Sequence, residues 1–89
     1  MSAFIMTRIQ TSDYDTFRSM FDQDVPNVRE KATVKRLFRR VDDPNHVFTF
    51  LEFDSVEDAQ EAAQRLESSG VLDRFEDKHG PNVLEEVPV

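Results

Sequence analysis

Apolar residues alternate with polar ones along several stretches of this chain and recur at helical spacing along two others. The sharpest succession runs from Val34 to Ser69. Val34-Lys35-Arg36-Leu37-Phe38-Arg39-Arg40-Val41 reads as a strand, Asp42-Asp43-Pro44-Asn45 as a turn, and His46-Val47-Phe48-Thr49-Phe50-Leu51-Glu52-Phe53 as a second strand. The strands are rich in β-branched and aromatic residues, which suit a pleated surface. The turn residues bond nearby backbone through Asp and Asn side chains, and Pro44 fixes one φ angle. A four-residue loop places Val41 opposite His46, Arg36 opposite Leu51 and Lys35 opposite Glu52.

Alternation sorts the hairpin into two faces. One carries Val34, Arg36, Phe38, Val47, Thr49, Leu51 and Phe53; the other carries Leu37, Arg39, Val41, His46, Phe48, Phe50 and Glu52. Both are substantially apolar, whereas an antiparallel sheet with one wet face shows apolar residues on one side only. Helices can cover one face; a second copy of the chain is the expected cover for the other, which predicts a homodimer.

The remaining elements follow the same logic. Residues from Ser2 to Gln10 read as a central strand, with Phe4 and Met6 on one side and Ala3, Ile5 and Ile9 on the other. Ser12 and Asp15 resemble a capping box. The helix that follows to about Gln23 aligns Tyr14, Phe17 and Phe21 on one face, with Met20 beside them, and Pro26 ends or breaks it. Asn27 to Ala32 reads as a short connection. A second helix runs from about Ser55 to Ser69, capped by Asp54 or Ser55 and closed by Gly70. Its stripe of Val56, Ala59, Ala62, Ala63 and Leu66 permits close approach to a sheet. Val71, Leu72 and Phe75 suggest a short third helix ended by Gly80-Pro81, and Asn82 to Val87 a final strand. The predicted order is βαββαβ: an α+β, ferredoxin-like domain spanning residues 1–89, with a four-stranded antiparallel sheet and helices on one face.

Composition narrows the function. The 89 residues are 38% hydrophobic and 33% charged, with eight Phe, no Trp and no Cys, so disulfides and thiolate chemistry are excluded. No apolar run approaches the ~20 residues of a membrane span, and no charged-then-apolar leader opens the chain, which predicts a cytoplasmic protein. A formal charge of −7 argues against nucleic acid. The cluster Lys35-Arg36 and Arg39-Arg40 is the counter-signal; it also reads as a charged strand pair whose stems cover apolar surface.

Candidate chemistry is sparse. His46, directly after the turn, is a candidate general base, or a partly exposed turn-flanking histidine. His79 sits beside an expected loop. Two histidines far apart, without Cys, make no metal pattern, and no glycine-rich phosphate loop exists. Arg36 shares its predicted face with Phe38, Leu51 and Phe53, where it could hold an anionic or quinone-like ligand, or be an edge-strand arginine that reaches solvent or pairs with an acid from a helix. Tyr14 and Phe17 could line the same pocket, or be plain core. The expected ligand site therefore lies between the helix bearing Tyr14 and Phe17 and a sheet face bearing Arg36 and Phe53, with His46 and Arg36 as candidate catalytic residues and no metal or cofactor.

The run Arg40-Val41-Asp42-Asp43-Pro44-Asn45, and Val47 through Phe53 leading into Asp54-Ser55-Val56-Glu57-Asp58-Ala59, resemble the dimeric α/β-barrel superfamily. Its members include antibiotic-biosynthesis-monooxygenase-like, polyketide-cyclase-like, haem-degrading and stress-responsive proteins. The acid-then-aromatic pair before the helix is Glu52 and Phe53 here. The resemblance implies two sheets paired into a barrel and a ligand between sheet and helices. It implies a cofactor-independent monooxygenase- or cyclase-like activity on a hydrophobic aromatic or polyketide-like substrate, or a non-catalytic dimeric binding or stress-responsive role. Phe53 stands where monooxygenase members often carry Trp, and the helix from Ser55 to Ser69 lacks the histidine of haem-degrading members.

Overall fold

The structure is a computed structural model, described here for residues 3–23 and 31–89. Its elements are β1 (Ala3–Gln10), α1 (Tyr14–Gln23), β2 (Val34–Arg39), β3 (His46–Phe53), α2 (Val56–Ser69), a 3-10 turn (Val71–Arg74) and β4 (Asp77–Glu85). The expected break at Pro26 and most of the connection from Asn27 to Ala32 lie outside the described residues. The four strands form one antiparallel sheet in the order β2-β3-β1-β4. This is the predicted ferredoxin-like arrangement, with β1 central.

Strand parity decides what each face does. Ala3, Ile5, Thr7 and Ile9 of β1 and Val47, Thr49, Leu51 and Phe53 of β3 are buried toward the helices. Their burial builds two apolar clusters. Ala3, Ile5, Leu51 and Phe53 pack with Ala59, Ala62 and Ala63 of α2. Ile9 and Val47 pack with Phe17 of α1 and Leu72. Between them the buried pair Thr7 and Thr49 stand opposite each other. The small side chains on α2 let it lie close to the sheet, and Phe53, at 0% exposure, fills the space they leave. Burying such a ring contributes roughly 1.5–3 kcal/mol.

Helix ends follow local chemistry. Ser55 caps α2 by accepting from the Asp58 amide at 3.1 Å, and Gly70 closes it in the left-handed region at φ 71°. The cap of α1 is Asp13 rather than Ser12. Its carbonyl accepts from the Phe17 amide at 3.1 Å, and its carboxylate accepts from the Asp15 amide at 3.3 Å and the Thr16 hydroxyl at 2.7 Å.

Two expectations are corrected. The hairpin register is shifted by one residue: Lys35 pairs with Leu51, Arg36 with Phe50 and Phe38 with Phe48. Arg40 N–H donates to the His46 carbonyl at 3.0 Å, so Val41 joins the loop instead of facing His46. A one-residue slip reverses every side chain of β2; Lys35, Leu37 and Arg39 share the helix-side parity, and Arg36 does not. The final strand begins at Asp77, not Asn82, and runs through Gly80-Pro81, which makes His79 a strand residue. A register shift opposite Thr7 absorbs the pair. β4 is an edge strand, where Pro81 removes no needed ladder bond.

Candidate functional site

The sequence-predicted ligand residues do not converge. Phe53 is sealed in the cluster under α2, and Phe17, 2% exposed, in the cluster under α1. Tyr14 is half-buried beside Phe17, its ring centroid 6.4 Å away, and the Arg39 guanidinium lies 4.6 Å over its face. Arg36 is exposed on the opposite side of the sheet, paired with Phe50. The expected face combining Arg36 with Phe53 therefore does not exist. The cation that meets Tyr14 is Arg39, because the register shift brings odd-numbered β2 residues to the helix side.

That opposite side is an open sheet face. It carries Phe4, Met6, Arg8 and Gln10 from β1, His46, Phe48, Phe50 and Glu52 from β3, Arg36 and Phe38 from β2, and His79 and Leu84 from β4. Phe38 is 48% and Leu84 41% exposed. Phe38 and Phe50 meet edge-on at 5.7 Å. His46 stacks on Phe48, with centroids 5.1 Å apart and planes 4° off parallel. Its Nε2 lies 3.1 Å from Arg8 Nη1, and Arg8 Nη2 donates to Asp77 Oδ1 at 2.8 Å. A guanidinium can only donate, so Nε2 accepts and the ring proton sits on Nδ1. The lone pair a general base would need is thus already engaged. The Asp77 carboxyl is held below the usual carboxylate range, chiefly by the Arg8 hydrogen bond and then by its charge.

A cleft of about 610 Å³ opens at the other side of the same sheet end. The β1–α1 junction forms one wall through Gln10, Thr11, Ser12 and Asp13. Thr16, Phe17 and Met20 of α1 continue it, and Arg74, Phe75, Glu76 and Asp77 form the facing wall. The two lining aromatics, Phe17 and Phe75, lie 6.2 Å apart, centroid to centroid, and Phe17 also lies 5.9 Å from Phe21. Arg74 is the lining cation, and its Nη1 meets the Met20 sulfur at 3.9 Å, a weak acceptor. Asp13 and Asp77 are both committed, one to the α1 cap and the other to Arg8. Of the predicted ligand residues only Phe17 reaches this cleft. Phe75 carried one signal in the sequence, its place with Val71 and Leu72 in the short apolar pattern before Gly80; Gln10, Thr16, Arg74 and Asp77 carried none, because the cleft is made by bringing β1 beside β4.

Among the described residues no group of three or more His, Cys, Asp or Glu is arranged to hold a metal ion, and no helix is long and apolar enough to cross a membrane.

No family model matches the sequence, and no curated protein matches it. Solved structures do match. SnoaB, a cofactor-independent oxygenase from Streptomyces nogalater, superposes with a TM-score of 0.71 at 13% identity, over 99% of this chain and 94% of that one. Rv0793 from Mycobacterium tuberculosis gives 0.71 at 13% identity, over 100% and 98%. A protein described as an antibiotic biosynthesis monooxygenase gives 0.68 at 14% identity, over 99% and 100%. The resemblance read from the sequence thus holds at the level of fold: the chain has the architecture of the antibiotic-biosynthesis-monooxygenase-like proteins.

Proposed function

We propose that the protein is a small cofactor-independent enzyme, monooxygenase- or cyclase-like, acting on a hydrophobic aromatic or polyketide-like substrate in the cleft between α1 and the segment leading into β4. The cleft carries this reading. Its volume of about 610 Å³ falls within the range of small-molecule sites, and it sets Phe17, Met20 and Phe75 among polar side chains from both walls. The fold it shares with a cofactor-independent oxygenase supports the reaction class.

The chemistry needs little from the chain. Phe75, half-buried on the facing wall, would stack on a substrate ring, with the buried Phe17 packed against it. An activated ring methylene loses a proton, and the resulting carbanion is stabilised as an enolate by Arg74, whose guanidinium gains a charge-assisted partner. Glu76, at the rim, is the lining carboxylate not committed to a cap or to Arg8, and receives the proton. Dioxygen adds to the carbanion, and loss of water from the hydroperoxide leaves a carbonyl. The methylene gives up four electrons, dioxygen accepts four, and CH2 plus O2 becomes C=O plus H2O.

The protein would act in the cytoplasm as a homodimer, with the open sheet face buried between two copies. The exposed Phe38 and Leu84 beside Phe48 and Phe50 support that assembly. One observation favours a non-catalytic binding or stress-responsive role: Asp13 and Asp77, two of the cleft's carboxylates, are tied down. An oxygen electrode with an anthrone-type substrate separates the two. Uptake of one O2 per substrate, abolished when Thr16→Trp fills the cleft, supports the enzyme. Binding without uptake supports the second role, and uptake unaffected by Thr16→Trp overturns the assigned site.

A further inference from the structure

We propose that Asn45, which does not line the cleft, is the positioning residue that sets its β1–α1 wall. This rests on the cleft being the ligand site. Asn45 ends the loop between β2 and β3, more than 30 residues from the segment it holds. Its carbonyl accepts from the Thr11 amide at 2.8 Å, its Oδ1 from the Tyr14 amide at 3.0 Å, and its Nδ2 donates to the Ser12 carbonyl at 3.4 Å. Its own amide donates to Asp43 Oδ1 at 3.1 Å, and Asp43 Oδ2 accepts from Gln10 Nε2 at 3.2 Å. All four polar groups of one residue are used, and three of them reach the turn that presents Thr11, Ser12 and Asp13 to the cleft.

Capping alone would not need an amide. A carboxylate could accept from the Tyr14 amide, and its charge would suit the helix N-terminus. The Ser12 carbonyl takes its donor from Asn45 Nδ2, so a side chain offering an acceptor and a donor side by side closes both ends of the turn. Asn45→Asp is therefore the discriminating variant: it keeps the cap and removes the donor.

The ligand-free test is amide exchange and backbone relaxation by NMR. In Asn45→Asp the Tyr14 amide stays protected and the melting temperature falls by only a few degrees, while Thr11–Asp13 becomes mobile and Phe75 on the facing wall does not change. In Asn45→Ala both the cap and the wall loosen. Affinity for 1-naphthol, followed at the Thr16 and Phe75 amides, falls about fivefold in Asn45→Asp, as expected for one lost neutral hydrogen bond. A Thr11–Asp13 backbone unchanged in both variants overturns the proposal. Wild-type protein that fails to bind 1-naphthol in the cleft overturns the ligand site instead, and leaves the relaxation result to decide on Asn45.

Discussion

Gly80 offers the most demanding test of the sheet geometry, through substitution by alanine. Its φ is +104°, which side chains rarely adopt, and a Cβ there would stand 2.7 Å from the Met6 carbonyl oxygen, 3.1 Å from the Asn82 nitrogen and 3.3 Å from Thr7 Cα. All three are backbone atoms, so none can swing aside. Holding a residue in so sparse a region costs about 1–3 kcal/mol, and displacing packed atoms adds about 1–3 kcal/mol. Alanine recovers about 0.4–1 kcal/mol by restricting the unfolded chain. The net loss is about 1–6 kcal/mol, which in a domain of this size lowers the melting temperature by at least about 4 °C. Gly70 is the internal control. It too has positive φ, +71°, but its added Cβ would find only Asp73 Oδ2 at 3.5 Å, an ordinary contact. Gly70→Ala should cost about 1 kcal/mol, from the left-handed conformation alone. Urea unfolding followed by circular dichroism measures both, with unchanged slopes showing that stability and not compactness has changed. Equal midpoints for the two variants would refute the close approach of β4 to β1 at Met6–Thr7.

The other predictions are shorter. Phe48→Glu should split the proposed homodimer into folded monomers by sedimentation, since an obligate interface buries about 2,000 Å² or more and tolerates no central charge; Phe53→Glu should unfold the chain, because its ring is wholly buried. Wild-type protein sedimenting as a monomer at micromolar concentration would refute the first. Asp77 binds protons less readily folded than unfolded, so its contribution to stability is present above the normal carboxylate pKa and is lost as pH falls through the depressed value. Arg8→Gln should raise the Asp77 pKa seen by NMR and flatten the acid limb of the stability curve. Arg36→Ala should leave binding of anionic aromatics unchanged, while Arg74→Gln weakens it about tenfold, as for a lost charge-assisted bond; the reverse pattern in calorimetry would restore the open face as the ligand site.

The fold was legible in the sequence because its signals are local. Ser55 and Gly70 bracket α2, the Ala stripe marks its buried face, and the β-branched and aromatic content of β1 and β3 marks them as strands. The candidate site was not, and the reason is a single residue. Assigning Val41 to the strand put Arg36 beside Phe53, whereas the loop takes Val41 and sends Arg36 to the other side. Hydrophobic parity could not expose the error, since β3 is apolar on both faces and accepts β2 either way. Gly80-Pro81 looked like a terminator because its tolerance depends on β4 being an edge with a register shift, a property of the sheet and not of the dipeptide. The cleft itself joins residues more than 60 positions apart, and nothing periodic links Gln10 to Asp77.

The way the hairpin register is fixed has a consequence for how the chain acquires its structure. A hairpin of this size forms within about 1–10 μs in isolation, yet β2 and β3 hold too little information to choose between two alignments. The choice falls to Arg40 against His46 and to Asn45 against Thr11, Ser12 and Tyr14. The last three partners belong to a segment made early in the chain, so the fast local step must wait for a slower distant one. A hairpin that closes one residue out would turn Arg36 and Phe38 to the helix side in place of Lys35, Leu37 and Arg39. The asparagine proposed to set a cleft wall thus also ties the β2–β3 loop, and with it the sheet register, to the β1–α1 turn.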